Sequence, residues 1–364
     1  HGYSVGLSGK WHLGNTLCPQ KGHTFWQVHA RGGGPYYGAP MMRDGVEYSE
    51  PCYVTDAITE HALDFLNIQT REQPFYLGVH YTAPHSPWER NEHPSKYYDP
   101  YFENCEFASV PEQALHPWQI DTAPIGDTPE RRRELLSGYF ASITAMDAQI
   151  GRLINALEQA DILDDTILIF SGDNGMNMGH LGIWGKGNGT YPQNMFDTSV
   201  KVPFIVSWPS RVPAARVSDH LFSHYDFMPS LLGLLGFTSE LPPGLPGTDK
   251  SKSWTDLSEE ADSEIIIFDE YGPVHMIRTR EWKYVHRFPH GPDELYHLSA
   301  DPDEKQNLIN DAATSDWVVA LRKRLEEWFE KYRDTTFDGR FHTVYGKGQR
   351  DRLDSATKPI FDSE

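Results

Sequence analysis

Apolar residues recur along this chain with two periods, and the order in which the periods alternate predicts most of its elements. Short apolar runs at Tyr3 to Leu7, Pro74 to Tyr81, Thr166 to Ser171 and Pro203 to Trp208 read as strands, the one over Pro74 to Tyr81 as a buried one. Helical spacing marks Thr55 to Arg71, and a longer helix opens at Thr128-Pro129, a cap residue followed by a first-turn proline. Its expected buried face runs from Leu135 and Leu136 through Tyr139, Phe140, Ile143, Met146, Ile150, Leu153 and Ile154 to Leu157. Asp226 to Leu235, stopped by Gly236, is a further helix. This rhythm belongs to an α/β fold, a largely parallel or mixed sheet flanked by helices. Leu241 to Lys252, rich in proline and glycine at its start, reads as a linker. Beyond it, Glu264 to Asp269, Val274 to Thr279, Trp282 to Arg287 and Glu294 to Leu298 read as short antiparallel strands, which the amphipathic helix Ser315 to Tyr332 would cover. The expected division is therefore an α/β domain over 1–250, a small C-terminal α+β subdomain over 251–340, and a polar tail over 341–364.

Three of the predicted strands end in loops that carry chemistry. The run FSGDNGMNMGHLGIWGKGNG, residues 170–189, sets Asp173, Asn174 and Lys186 beyond the strand Thr166 to Ser171. A carboxylate beside an amide oxygen suits a hard cation such as Ca²⁺, which takes six to eight oxygen ligands; Asp-Asn-Gly is equally at home in a plain turn. A lysine after glycines supplies positive charge for an anion. Tyr3 to Leu7 leads into Gly9-Lys10-Trp11-His12, and in extended backbone Lys10 and His12 point the same way. The plain alternative is a solvated lysine and a packed histidine. Pro74 to Tyr81 leads into Thr82-Ala83-Pro84-His85-Ser86-Pro87, where two prolines stiffen the backbone around His85. In open α/β sheets, ligands bind outside the carboxyl ends of the strands. The shared placement points to hydrolysis of an anionic ester at a metal.

These segments carry a family resemblance. GYSVGLSGKWHLG resembles the second signature of the type I sulfatases, and HYTAPHSPW the family's Pro-His loop. FSGDNG with GIWGKGNGT is similar to its metal and second-lysine segment, and YDFMPSLLGLLG to its Asp-x-x-Pro-Ser/Thr-Leu-Leu helix. IRTREWKYV with DELYHLSADPDEKQNL resembles the closing sheet of its C-terminal subdomain. The resemblance implies an alkaline-phosphatase-like fold and a sulfuric ester hydrolase, in which a formylglycine attacks sulfur while Ca²⁺, or Mg²⁺ in its place, holds the sulfate oxygens. Asp173 and Asn174 would be metal ligands. Lys10 and Lys186 would neutralise the sulfate and favour a transition state with charge on the leaving oxygen. His85 would protonate that oxygen, a task Lys186 could share, and His12 would orient the formylglycine. His180 lies in Gly179-His180-Leu181-Gly182, where many relatives carry Gly-His-His-Gly; it either contacts substrate or caps a loop. HARGGGPYYG, residues 29–38, with Arg31 and two tyrosines, either lines a sugar pocket or is ordinary surface.

Two parts of the family pattern are missing from these residues. The formylglycine precursor sits in Cys/Ser-x-Pro/Ala-x-Arg, whereas Cys18 is followed by Pro19-Gln20-Lys21 and Cys52 and Cys105 lack the context altogether. The family's paired aspartates, which precede the Lys-x-His segment, are also not seen. By the resemblance the chain is N-terminally truncated, lacks its first strand and turns over negligibly by itself, with exposed sheet edges. Thirty-two basic against 52 acidic residues give a net charge of −20, which argues against a nucleic acid as partner. Three scattered cysteines make no disulfide framework, and no apolar run is long enough to span a membrane. The expected partner is a small-molecule or oligosaccharide sulfate ester, and the resemblance places the protein in the periplasm or outside the cell. One alternative is a phosphoesterase or phosphonate hydrolase of the same superfamily, whose His-rich two-metal markers are not seen here. The other is a non-catalytic relative that binds sulfated glycans.

Overall fold

The first apolar run forms strand β1 (Ser4–Gly9), flanked in parallel by β2 (Phe25–His29) and β5 (Phe75–His80). The hairpin β3 (Ala39–Arg43) and β4 (Val46–Glu50) extends this sheet antiparallel beyond β2, giving the order β4-β3-β2-β1-β5. The sheet is thus mixed, as expected for the α/β class. The computed structural model describes residues 1–13, 16–256, 263–269, 272–288, 291–335 and 338, so the expected tail over 341–364 lies outside the described residues. The chain divides into two compact units. The first comprises residues 1–116, 123–167 and 178–184; the second comprises 117–122, 168–177 and the residues from 185 onward.

In the first unit, helices α1 (Val54–Asn67) and α3 (Pro129–Gln159) pack together, α1 lies on β1, and α2 (Ser95–Asn104) packs on α3. Thr128 caps α3 by accepting the Arg131 N–H at 3.2 Å, with Pro129 in its first turn, as the sequence leads one to expect. Its buried face differs from the expected one. Leu135, Leu136, Met146 and Leu157 are buried, but the seam between them is made of Gly138, Ala141, Ser142 and Ala145. Small residues let neighbouring backbone approach α3, and Tyr139, Phe140, Ile143, Ile150, Leu153 and Ile154 flank the seam half-buried.

In the second unit, β6 (Leu168–Ser171) pairs antiparallel with β7 (Phe204–Ser207). Helix α4 (His224–Leu235) begins with a capping box: Asp226 Oδ2 reaches back to the Ser223 N–H at 3.0 Å. The same buried carboxylate accepts the Thr248 N–H at 2.9 Å, and Lys250 Nζ donates to the Leu221 carbonyl at 2.7 Å. The end of the expected linker is therefore fastened to α4. Strands β8 (Ile265–Phe268), β9 (Val274–Arg278), β10 (Trp282–Arg287) and β11 (Glu294–His297) form an antiparallel sheet in that order. Leu321, Leu325 and Phe329 of α5 (Ser315–Tyr332) close one face over Ile266, Ile277, Tyr284 and Leu295. All six residues of β10 are buried, which puts Lys283 and Arg287 on the covered opposite face. No described helix is long and apolar enough to cross a membrane.

Candidate active site

Each unit holds part of the expected set. In the first, the turn at the end of β1 delivers Lys10. Gly9 has φ +107°, and a Cβ there would collide with the His80 carbonyl, so only glycine lets β1 turn this close to β5. Lys10 N–H donates to His80 O at 2.7 Å, and His80 Nδ1 donates to Lys10 O at 3.0 Å. This reciprocal pair fixes the Lys10 backbone at the carboxyl end of the strand pair. His29, at the same end of β2, is fully buried and bonded through Nε2 to Thr82 Oγ1 at 2.7 Å. Burial, and after it the Lys10 charge, push the His29 pKa down to about 4. The imidazole is therefore neutral at neutral pH and adds no positive charge beside Lys10.

Thr82 opens the loop that carries His85, whose N–H returns to Thr82 O at 2.9 Å. The His85 ring is exposed, its Nδ1 bonded to Ser86 O at 2.9 Å. Tyr36 Oη donates to His85 O at 2.8 Å and is itself fully buried, so Tyr36 does not line a sugar pocket; Arg31, Pro35, Tyr37 and Gly38 are the exposed members of that segment. The exposed His12 ring lies over Gly32. His180 is half-buried in a turn with Leu181 at φ 56°; burial lowers its pKa, and its Nδ1 is buried without a hydrogen bond among the described residues.

In the second unit, Asp173 and Asn174 follow β6. Asp173 Oδ1 accepts the Asn174 N–H at 3.0 Å, and Asn174 Nδ2 donates to Gly175 O at 2.8 Å. With its nitrogen so engaged, the Asn174 side chain offers its oxygen to a cation. Carboxylate and amide oxygens suit a hard divalent ion in kind, although two are fewer than Ca²⁺ takes. No cluster of three or more His, Cys, Asp or Glu is found among the described residues. A Cβ at Gly175 would collide with the Thr198 carbonyl, which shows how closely this loop lies on the segment 194–199. Gly175 N–H donates to Ser199 O at 2.9 Å, and Ser199 Oγ donates to Asn194 Oδ1 at 2.6 Å. Asn194 N–H in turn donates to Gly187 O at 3.0 Å, and its Nδ2 to Lys186 O at 3.4 Å. Asn177 Nδ2 joins the network at Ser199 Oγ (2.7 Å) and Gly185 O (3.0 Å). One buried amide–hydroxyl cluster thus connects the Asp173-Asn174 loop to Lys186.

That cluster is anchored on the antiparallel sheet. Asp197 takes a two-pronged pair from Arg278 at 3.2 and 3.0 Å and a salt bridge from Lys283, whose ammonium is fully buried and also meets Glu304 at 2.6 Å. Burial alone would raise the Asp197 pKa, but the Lys283 and Arg278 charges outweigh it and hold the carboxyl at about 2.

With this geometry in place, comparison with known proteins decides the family. The sulfatase family model matches residues 1–237, well over half of the 364. The chain belongs to the sulfatase family. A second model, N-sulphoglucosamine sulphohydrolase, C-terminal, matches residues 189–331 of this sulfatase. The N-acetylglucosamine-6-O-sulfatase of Bacteroides thetaiotaomicron is 25% identical over 429 residues, which cover 96% of this chain and 74% of that relative. A solved structure in complex with its substrate D-glucosamine-2-N,6-O-disulfate aligns at TM-score 0.76 and 22% identity, covering 93% of this sulfatase and 81% of that chain. A phosphonate monoester hydrolase of Agrobacterium radiobacter aligns at TM-score 0.66 and 20% identity, covering 92% and 79%. At these identities both structures share the fold.

The expectations for this sulfatase named neither His29 with Thr82 nor Asn194 with Ser199. A histidine closing an apolar strand was a visible signal for the first. The second pair lies amid ordinary polar residues and emerges only when the chain folds.

Proposed function

We propose that this sulfatase cleaves a sulfate ester carried by a carbohydrate, with Lys10 and Lys186 countering the sulfate charge and His85 protonating the leaving oxygen. The observation that supports this most is the parallel pairing of β1 and β5, which brings Lys10 and the His85 loop to the same end of one sheet. The Nδ1 bond to a carbonyl, which only accepts, puts the first ring proton of His85 on Nδ1 and makes Nε2 the nitrogen that gives and recovers the transferred proton. His80 fixes the backbone from which Lys10 would meet the anion. In this reading His12, whose ring lies over Gly32, would orient the attacking group, and His180 would touch the sugar.

Asp173 and Asn174 would hold one divalent cation, Ca²⁺ by the chemistry of their oxygens; when bound it supplies fixed positive charge for the sulfate oxygens. Cys18, Cys52 and Cys105 do not fit a formylglycine precursor. Cys52 is exposed, and desolvation with the Glu50 carboxylate pushes its thiol pKa up, opposite to what a nucleophile needs. The same reading keeps 1–250 as the catalytic part and 251–340 as its closing subdomain, and places the protein in the periplasm or outside the cell.

Sulfate release decides the reading. The protein as its natural gene encodes it, co-expressed with a formylglycine-generating enzyme, is offered 6-O-sulfated glucosamine and a phosphonate monoester. Sulfate appearing by ion chromatography in a Ca²⁺-dependent way supports it. Faster cleavage of the phosphonate would favour the phosphonate hydrolase fold-mate, and no turnover with retained sulfoglycan binding would favour a non-catalytic relative.

A further inference from the structure

The loop between β5 and α2 has no regular structure around His85, yet four consecutive carbonyl oxygens in it each receive a ring donor. Trp88 Nε1 donates to Pro84 O at 2.8 Å, Tyr36 Oη to His85 O at 2.8 Å, His85 Nδ1 to Ser86 O at 2.9 Å and His93 Nε2 to Pro87 O at 3.1 Å. Because carbonyls only accept, His93 carries a proton on Nε2, and its Nδ1 accepts the Tyr53 hydroxyl at 3.1 Å. Of the four donors, Tyr36 alone reaches the main chain of His85 itself, and it comes from 49 residues away in sequence. Its ring stacks on Tyr53 at 5.3 Å and packs on His93 at 4.6 Å, while its own N–H is held by Glu92 Oε2 at 2.8 Å. A donor fixed on every side is aimed at the backbone of an exposed imidazole.

We propose that Tyr36 is a positioning residue for the proton donor: by holding the His85 carbonyl it keeps the Nδ1–H bond to Ser86 closed, so that Nε2 is the nitrogen that meets the leaving oxygen. Tyr36→Phe keeps the aromatic stack and removes only the hydroxyl that donates to the His85 carbonyl. This inference rests on the assignment of His85 as the acid, and the test separates the two.

The test is ¹⁵N-resolved NMR of the histidine rings in the wild type and in Tyr36→Phe, with His85→Gln assigning the resonance and inorganic sulfate as the titrant. In the wild type, His85 is expected in a single Nδ1–H tautomer and to shift with sulfate. In Tyr36→Phe the tautomers should mix and the sulfate midpoint should rise about tenfold, as for a part-buried acceptor that loses one donor. A wild-type ring that ignores sulfate overturns the acid assignment, and this inference with it. A wild type that responds, with Tyr36→Phe indistinguishable from it, overturns the inference alone. Should the variant not fold, the wild type still answers: a Tyr36 hydroxyl proton given to a carbonyl exchanges slowly and shows a cross-peak to the His85 Hα, and its absence overturns the proposal.

Discussion

Lys10 depends on its neighbours for placement and on its own charge for effect. Its backbone is clasped by His80, so replacing the side chain should leave the fold intact and strip charge from one defined point. Lys10→Met and Lys186→Met are each expected to lower kcat/KM for sulfate release by about 10²- to 10³-fold, the usual cost of removing one preorganised charge or donor at a developing oxyanion. Lys10→Arg should restore little, because a planar fork does not replace a compact ammonium. Unchanged kinetics in both methionine variants would remove the lysines from the reaction. The lysines, His85 and the Asp173-Asn174 pair stand out as candidates because glycine, proline and strand ends surround them, and such punctuation shows in one dimension. Asn194 and Ser199 do not, since an amide and a hydroxyl gain their meaning only from the carbonyls folding brings to them.

At the scale of elements, the segment 194–199 joins pieces that the chain order keeps apart. Asn194→Ala should weaken Ca²⁺ binding by about 10- to 100-fold through the loop it supports, as read by calorimetry; an affinity equal to that of the wild type would mean that the Asp173 loop holds its shape unaided. Lys283→Met leaves Asp197 and Glu304 buried with one cation fewer, and breaking a buried pair from one side costs about 3–5 kcal/mol. Denaturant unfolding should show that loss, and a change within error would mean that Arg278 suffices. Elements with clean periodicity were legible: β1, β5, the β8–β11 sheet, α3 and α5 lie within two residues of their expected positions or on them. The hairpin β3–β4 was not, although it turns on Asp44-Gly45, both at positive φ (51° and 77°), as hairpin turns require. Pro40 and the adjacent Met41 and Met42 break the alternation that would have announced the strand. Helix α2 was hidden likewise, by Pro100 in its interior.

For the whole molecule, acid should act in two stages. His29 and His93 are both held at a pKa of about 4 by burial, against an ordinary 6.5. Below pH 6.5 the unfolded chain takes up protons that the folded chain refuses until about pH 4. Stability is therefore full above pH 6.5 and drains as the pH falls towards 4, by up to about 3 kcal/mol for each histidine. Asp197 adds the second stage: its folded pKa of about 2 lies below the ordinary 3.8, so its share persists above 3.8 and is lost as the pH falls towards 2. Melting temperatures measured from pH 7 to 4.5 should fall, and His93→Gln should flatten the slope; a level profile would sink this account. The Asp197 anchor also bears on recombination between relatives. A crossover at residue 250 would inherit Asp197 from one parent and Arg278, Lys283 and Glu304 from the other, and so combine two halves of a charge cluster that were never selected together. A crossover just ahead of residue 189, where the C-terminal family match begins, would carry the whole cluster across as one heritable block.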